Sequence, residues 1–373
     1  MQTIEALQVF WPAAITGLIC SFLASLLIVV TKQWHGSFSM DQTTGIQKFH
    51  TTPTPRVGGI ALVLGATCAW FAIPETPEGT KYLLGLVLIG GLPAFAAGIV
   101  EDITKKVSVK IRLIATALSG LAFALLSGYW INAVSLPGVD ALLALAPVGI
   151  LFTAFAISGI ANSVNIIDGF NGLATGVVVL MLLTLAVIAF KVGDTAVLNL
   201  ALVGAAVVIG FMVWNFPRGL IFLGDAGAYS LGYYVAALAV ALTLRNAGEV
   251  SPWAMLLVCG YPIIETLFSV YRRLSRKRRR NPGTPDASHL HSLVYRRIVS
   301  RKLMPYAPAW QRNAMTSPFM WVYAAVPMLG AVFWPQSLAM VLVWLVFSFM
   351  VYKRVYRRMV AMSIYFIKPS TNQ

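Results

Sequence analysis

Residues 142–190 read LLALAPVGILFTAFAISGIANSVNIIDGFNGLATGVVVLMLLTLAVIAF. Two apolar stretches, 142–161 and 173–190, flank a short polar segment. An apolar stretch of about 20 residues has the length of a helix that crosses the hydrocarbon core of a bilayer, whereas a strand of a membrane barrel needs only about ten. Because both stretches have helix length, they predict two membrane-spanning helices joined by a polar loop. The expected fold class is therefore all-α.

The same alternation of apolar stretches and polar loops continues along the whole chain. Hydrophobic residues make up 58% of the 373 residues and charged residues only 11%, well below the roughly 25% typical of soluble domains. This composition predicts a single integral membrane domain, residues 1–373, with a polytopic transmembrane bundle of about eleven spans. The predicted spans are 9–30, 57–73, 82–100, 113–129, 142–161, 173–190, 197–214, 227–244, 253–271, 318–334 and 337–352. The first reads as an anchor and not as a cleaved signal peptide, because it lacks a basic segment before it.

Basic residues are distributed unevenly between the two sets of loops. Only Lys81, Lys191 and Arg245 fall on one side, which leaves 25 of the 28 Lys and Arg residues on the other. By the positive-inside rule the rich side is cytoplasmic, with the N-terminus outside and the C-terminus inside. That side includes a basic loop, 272–317, and a basic tail, 353–373. In a membrane protein such a loop is expected to bind anionic lipids and not nucleic acid.

Two of the inner loops carry polar residues with more than one explanation. Lys48, His50 and Arg56 offer hydrogen-bond donors to a phosphate, but a basic loop that only sets the topology explains them equally well. Glu101 and Asp102 are adjacent carboxylates at a helix end, where their burial is costly without a cation. They indicate Mg²⁺ binding or proton transfer, or a pair that neighbouring lysines neutralise.

The polar loop within the opening stretch is more specific. Spacing by three places Asn162, Asn165 and Asp168 on one helical face, and Asn171 follows closely. Four polar side chains between two apolar spans are hard to explain by packing. The loop therefore predicts a functional site.

Two further inner loops hold candidate residues. Asp225 lies between glycines at the start of the eighth span, downstream of Arg218, where it either holds Mg²⁺ beside a diphosphate or simply caps the helix. His289 and His291 form a His-x-His motif, for which hydrogen bonding to a sugar or phosphate is favoured over a structural zinc site. Glu265 falls inside the ninth span, near its inner end.

Taken in order, the strings KFHTTPTPRVGG, NSVNIIDGFNGL and FLGDAG resemble those of the polyprenyl-phosphate N-acetylhexosamine-1-phosphate transferase superfamily, over roughly residues 41 to 295. The resemblance implies transfer of a HexNAc-1-phosphate from a UDP-HexNAc to undecaprenyl phosphate, with release of UMP. This reaction would start a lipid-linked glycan such as O-antigen or capsule. The resemblance also implies Mg²⁺ as cofactor, with Mn²⁺ as a substitute, a bacterial cytoplasmic membrane with the site on its cytoplasmic face, and by analogy a homodimer.

The resemblance also implies roles for individual residues. Asp225 matches the family's metal-ligand aspartate, and Asn165 with Asp168 matches positions that line the nucleotide-sugar and metal site. Asn171 matches a position expected to contact uracil or ribose. His289 and His291 match the family's His-x-His loop. In the muramoyl-pentapeptide enzymes this loop has a longer histidine run, and the difference favours a simple HexNAc.

One position departs from the family pattern. Glu101 stands where the family usually has Asp, whereas Asp102 keeps the expected residue. Asp102 is therefore expected to deprotonate or orient the lipid phosphate, and Glu101 to have the smaller role.

Two other functions stay open from the sequence. The many spans and Glu265 are also compatible with a transporter or lipid flippase, although a transporter should hold its ionisable groups near the bilayer midplane. Glu101 is compatible with a catalytically inactive scaffold. Neither the sugar nor the polymer follows from the residues.

Overall fold

The computed structural model describes residues 2–41, 53–75, 79–275 and 288–362, with the backbone alone for residues 2–9. Within these ranges the chain is helical apart from loops and one short antiparallel pair, β1 (Met40–Asp41) with β2 (Thr54–Pro55). The helices are α1 (Gln2–Val30), α2 (Lys32–Ser39), α3 (Gly58–Ala72), α4 (Thr80–Gly90), α5 (Leu92–Thr104), α6 (Val109–Ser127), α7 (Pro137–Leu143), α8 (Ala146–Ile167), α9 (Leu173–Val192), α10 (Thr195–Asn215), α11 (Gly224–Arg245), α12 (Pro252–Val258), α13 (Gly260–Leu274), α14 (Leu290–Val294), α15 (Ala309–Phe333) and α16 (Leu338–Ala361). A π-helical segment, Tyr295–Leu303, joins α14 to the loop before α15.

These helices make the protein an all-α polytopic membrane protein. Eight are long and apolar enough to cross a membrane, and two bent pairs, α4 with α5 and α12 with α13, meet the same test when each pair is taken together. Helix α3 is apolar but shorter. Each predicted stretch falls mainly on one of these helices or pairs. The number of crossings itself stays a prediction.

Two bends correct the sequence prediction. The stretches 82–100 and 253–271 were expected to be continuous helices, but the chain bends by 44° between α4 and α5 and by 81° between α12 and α13. Each new helix has a proline in its first turn, Pro93 in α5 and Pro262 in α13. A proline there removes no hydrogen bond within the helix, so it permits a restart. A count of apolar residues does not detect such a break.

Some helices extend beyond the predicted spans. Helix α8 continues past the predicted end at residue 161 to Ile167, so Asn162 and Asn165 lie on the helix and not in a loop. Helix α15 begins at Ala309, well before the predicted start at residue 318. Apolar length limits the part of a helix within lipid, whereas polar turns can continue the helix outside it.

Helix α11 lies at the centre of the bundle. Of the residues in its apolar window 83% are buried, against 28% for α1 and 17% for α16. Glycines on two neighbouring helices permit close backbone contact with its first turn. A Cβ on Gly98 of α5 would lie 2.4 Å from Cα of Ala226, and a Cβ on Gly59 of α3 would lie 2.5 Å from N of Gly227. Small residues at such crossings let membrane helices approach closely, which brings α3 and α5 to the start of α11.

The far end of α11 contacts the turn between α9 and α10. Arg245 Nε lies 2.8 Å from Asp194 Oδ2, and Asn246 Nδ2 donates to the same oxygen at 2.9 Å. The 22 residues of α11 are about 33 Å long at 1.5 Å per residue, so this turn is at the opposite end of the bundle from Gly224. The sequence analysis placed the loop after α9 and the loop after α11 on the same side, and this contact agrees with that placement. Which side faces the cytoplasm stays a prediction.

Thiol labelling tests the predicted orientation. Ala247 and Thr104 are both exposed, and they lie at opposite ends of the bundle. In intact cells a cysteine at Ala247 should react with a membrane-impermeant thiol reagent, whereas a cysteine at Thr104 should react only after permeabilisation. The unsubstituted protein controls for the native cysteines. The reverse pattern would show that the orientation is wrong.

Candidate active site

A cavity of about 580 Å³ lies at the end of the bundle where α11 begins. Its walls come from α6, α8, α11, α13, α14 and α15 and from the loops before α3, α9 and α11. Eight of the predicted site residues line it: Arg56, Asn162, Asn165, Asp168, Asn171, Asp225, His289 and His291. Glu101, Asp102 and Arg218 do not line this cavity. Lys48 and His50 lie outside the described residues.

Asp225 is a carboxylate on the cavity wall that accepts hydrogen bonds from three side chains. Its Oδ1 accepts hydrogen bonds from Arg56 Nη2 at 2.5 Å and from Asn165 Nδ2 at 3.1 Å, and its Oδ2 accepts one from Arg112 Nη1. The residue lies in the first turn of α11, where the helix dipole favours negative charge. Side chains from α6, α8 and the loop before α3 therefore converge on one anionic group.

Arg112 was not among the predicted site residues. It is one of four basic residues in the segment 105–112, which the sequence analysis used only to assign the topology. Ser108 caps α6 by accepting the N–H of Ile111, and Arg112 follows one turn later with its side chain 19% exposed. Nothing in the local sequence distinguishes Arg112 from Lys105 or Lys110. Only the packing of α6 against its neighbours brings it to Asp225.

Asp102 lies behind Asp225 and is fully buried. Its two oxygens accept the backbone N–H groups of Asp225 and Ala226 at 2.8 and 2.9 Å, and its Oδ1 is 3.5 Å from Arg56 Nε. The carboxylate therefore holds the first turn of α11 in place. The predicted contact of Asp102 with a lipid phosphate stays a prediction, and this geometry gives the residue a second, positioning role.

Two neighbours complete the arrangement around Asp102. Gly224 has φ +74°, and a Cβ there would lie 2.5 Å from Asp102 Oδ2, so the position requires glycine. Glu101 Oε2 accepts the N–H of Val107 at 2.8 Å, while its Oε1 is 3.9 Å from Arg112 Nη1. Glu101 therefore contacts the site through Arg112 and is more exposed than Asp102.

The polar residues at the end of α8 and directly after it divide into two kinds. Asn165 and Asp168 line the cavity near Asp225. Asn162 also lines it, but its Nδ2 donates to Thr116 Oγ1 at 2.9 Å and joins α8 to α6. Burial raises the pKa of Asp168 to about 7, an effect that Arg56 opposes and the charge of Asp225 adds to. A carboxyl in this environment keeps its proton near neutrality unless a cation compensates its charge.

Asn171 connects this loop to its neighbours. Its backbone N–H donates to Asn313 Oδ1 at 2.8 Å, and its Nδ2 donates to the carbonyl of Pro217 at 3.0 Å. The first bond joins the loop after α8 to α15, and the second holds the loop before α11 by its backbone. The adjacent Arg218 is exposed, so the structure does not bring this predicted substrate residue into the cavity. Arg273 of α13 lines the cavity instead.

The oxygen donors of this cavity suit a hard cation. No group of three or more His, Cys, Asp and Glu side chains among the described residues forms a ready-made metal site. Magnesium, however, usually binds through one or two carboxylates together with water and substrate phosphates. Asp225 and Asp168 would supply the carboxylates, and Asn165 would supply an amide oxygen. The residues therefore fit Mg²⁺, provided that the arginines share Asp225 with the ion.

Comparison with known proteins identifies the family of the chain. Residues 84–243 match the family model of glycosyl transferase family 4. The chain is 30% identical over 254 residues to a probable undecaprenyl-phosphate N-acetylglucosaminyl 1-phosphate transferase of Bacillus subtilis, which covers 68% of each chain. It is 26% identical over 286 residues to the undecaprenyl-phosphate alpha-N-acetylglucosaminyl 1-phosphate transferase of Yersinia pestis, covering 75% of this chain and 76% of that one. It is 28% identical over 290 residues to the decaprenyl-phosphate N-acetylglucosaminephosphotransferase of Mycobacterium leprae, covering 67% and 70%. The chain therefore belongs to glycosyl transferase family 4, within the polyprenyl-phosphate N-acetylhexosamine-1-phosphate transferase superfamily.

Proposed function

We propose that the protein transfers a HexNAc-1-phosphate from a UDP-HexNAc to undecaprenyl phosphate and releases UMP. The names of the three relatives support a sugar-phosphate transfer to a polyprenyl phosphate. The observation that carries the proposal is Asp225, held by Arg56 and Arg112 at the start of α11 on the wall of a large polar cavity. GlcNAc, the sugar in the names of all three relatives, is the first HexNAc to test.

The cavity residues suit the binding of a diphosphate. Arg56, Arg112 and Arg273 provide guanidinium groups, whose paired donors match phosphate oxygens. The start of α11 adds the positive end of a helix dipole. These groups offset the negative charge that two phosphate-bearing substrates bring together.

The proposed reaction is a displacement at phosphorus. An oxygen of the lipid phosphate attacks the phosphorus attached to the sugar, the bond from that phosphorus to the bridging oxygen breaks, and UMP leaves with that oxygen. Such a transfer depends mainly on positioning and charge compensation and requires little covalent help from protein. Asp225, Asp168 and Asn165 would hold Mg²⁺, or Mn²⁺ in its place. When bound, the ion supplies positive charge against the diphosphate.

The cellular setting is also part of the proposal. The skewed basic residues and the bacterial relatives support a site on the cytoplasmic face of the bacterial cytoplasmic membrane. The product would start a cell-envelope glycan such as O-antigen or capsule. We further propose that the basic loop, 272–317, binds anionic lipids and that two copies pair as a homodimer.

An in vitro assay tests the proposed activity. Purified protein should convert labelled UDP-GlcNAc and undecaprenyl phosphate, with Mg²⁺, into a labelled lipid and an equal amount of UMP. Parallel reactions with other UDP-HexNAc donors identify the preferred sugar. Absence of a labelled lipid with every donor would contradict a transferase and return attention to a transporter. Glu265, which supported the transporter, lies behind the cavity wall and contacts His289, which lines the cavity.

A further inference from the structure

Glu265 is an acidic residue on α13 that the proposed reaction does not use. Its side chain is fully buried and does not line the cavity. Its Oε1 lies 2.9 Å from Nδ1 of His289 and accepts the backbone N–H of Leu290 at 3.1 Å. The acid thus binds both the ring and the backbone at the start of α14. Burying a carboxylate is costly unless it is paired and hydrogen-bonded, and these two contacts supply that pairing.

The contact with Glu265 determines which edge of His289 faces the cavity. The imidazole lines the cavity and is only 6% exposed. Because Nδ1 is directed to the carboxylate, it carries the proton of that hydrogen bond, and Nε2 is the nitrogen left for a ligand. The hydrogen bond made by one ring nitrogen of a histidine sets the role of the other.

His291 repeats the arrangement with a neutral partner. Its Nδ1 lies 3.3 Å from the hydroxyl of Tyr261, which is also on α13. Burial lowers the pKa of His291 to about 3, so the ring is neutral. The Tyr261 hydroxyl then donates to Nδ1, and the proton of the ring is on Nε2. The rings of His289 and His291 are stacked, with centroids 5.2 Å apart and planes 10° apart.

We propose that Glu265 is a positioning residue that supports the doubly protonated ring of His289 when phosphate binds, with Nδ1–H donating to Glu265 and Nε2–H donating into the cavity to a phosphate oxygen. This inference rests on the proposed function, because it assigns the recognition of phosphate to that same site. A carboxylate at Nδ1 fixes the orientation of the ring and stabilises its imidazolium form, the form in which both ring nitrogens donate. Tyr261 fixes the second ring without adding charge.

Nucleotide binding separates this role from simple structural support. Glu265→Gln keeps an oxygen that accepts from His289 but removes the negative charge. We expect the Kd of UDP to rise about tenfold, because charge-assisted hydrogen bonds are roughly twice as strong as neutral ones. The Kd of uridine, which has no phosphate, should not change. Glu249→Gln, an exposed glutamate beyond the far end of α11, is the matched control and should alter neither value.

The phosphate recognised by His289 belongs either to the nucleotide or to the lipid. If UDP binding is unchanged and the KM for undecaprenyl phosphate rises about tenfold instead, His289 binds the lipid phosphate and the role of Glu265 stands. If neither value changes in a folded variant, the proposal is wrong. Glu265→Asp, which keeps the charge but withdraws it by one methylene, gives a second test if the glutamine variant does not fold.

A double substitution tests whether Glu265 acts through His289. In a His289→Asn background, Glu265→Gln should cause no further loss of UDP affinity, since the ring that it positions is gone. Additive losses would show that Glu265 acts independently and would overturn the proposal. Failure of the transfer reaction is a separate result, because UDP and uridine binding are measured without turnover.

Discussion

Asp225→Asn is expected to lower kcat by about a hundredfold to a thousandfold, the range for loss of a group that compensates charge in a transition state. Asp225 accepts from Arg56, Arg112 and Asn165, and it is the carboxylate best placed to share a cation with the diphosphate. An amide has one acceptor oxygen and no charge, so it is a poor ligand for Mg²⁺ and a poor partner for two guanidinium groups. The measurement is formation of lipid-linked sugar by purified protein over a range of Mg²⁺ concentrations.

Folding must be followed in the same samples. Glu75→Gln is a suitable control, because Glu75 is exposed and its ion pair with Lys81 lies away from the cavity. This variant should match the unsubstituted protein in turnover and melting temperature. Substantial activity of a folded Asp225→Asn protein at ordinary Mg²⁺ would show that the cation is held elsewhere.

Asp102→Asn should lower kcat by at least about a hundredfold, within the range for loss of an acid–base group, and should also lower the melting temperature. Both oxygens of Asp102 accept backbone N–H groups, and an asparagine would turn a donor toward one of them. A buried donor left without an acceptor costs about 1 to 3 kcal/mol. Turnover and thermal unfolding of the purified variant in detergent provide the two measurements.

Glu101 provides the comparison for this prediction. Glu101→Asp should stay active and Glu101→Gln should lose less activity than Asp102→Asn, because Glu101 meets the site only through Arg112. A lowered kcat with an unchanged melting temperature in Asp102→Asn would favour direct proton transfer by Asp102. If Glu101→Gln were the more damaging variant, the two roles would have to be exchanged.

The sequence predicted the helices and most of the cavity for clear physical reasons. Apolar length identifies membrane helices, because only a helix or a closed barrel can pair all of its backbone hydrogen-bonding groups within lipid. Asp168, Asp225 and His291 were found because polar residues between apolar spans have no packing explanation. Each of these signals is local, and each can be read without knowing which helices are neighbours.

The residues that were missed depend on contacts between distant segments. Arg112 resembles any basic residue at the end of a span until α6 packs beside α11. Glu265 was recognised as unusual, but its partner His289 is 24 positions away in sequence, so its role could not be inferred. Asp102 was predicted from its identity, yet its contacts with the start of α11 involve residues more than a hundred positions away.

The central position of α11 bears on which substitutions the protein can tolerate. Asp225 is in the first turn of this helix, so the location of its carboxylate depends on how the whole rod sits among its neighbours. A methyl group on Gly232, two turns beyond Asp225, would lie 2.6 Å from Cα of Ala161 on α8. This clash would displace α8 at Ala161, which lies one turn before Asn165. Variants that abolish function should therefore occur along the whole length of α11, while α1 and α16, whose residues are mostly not buried inside the bundle, accept many changes.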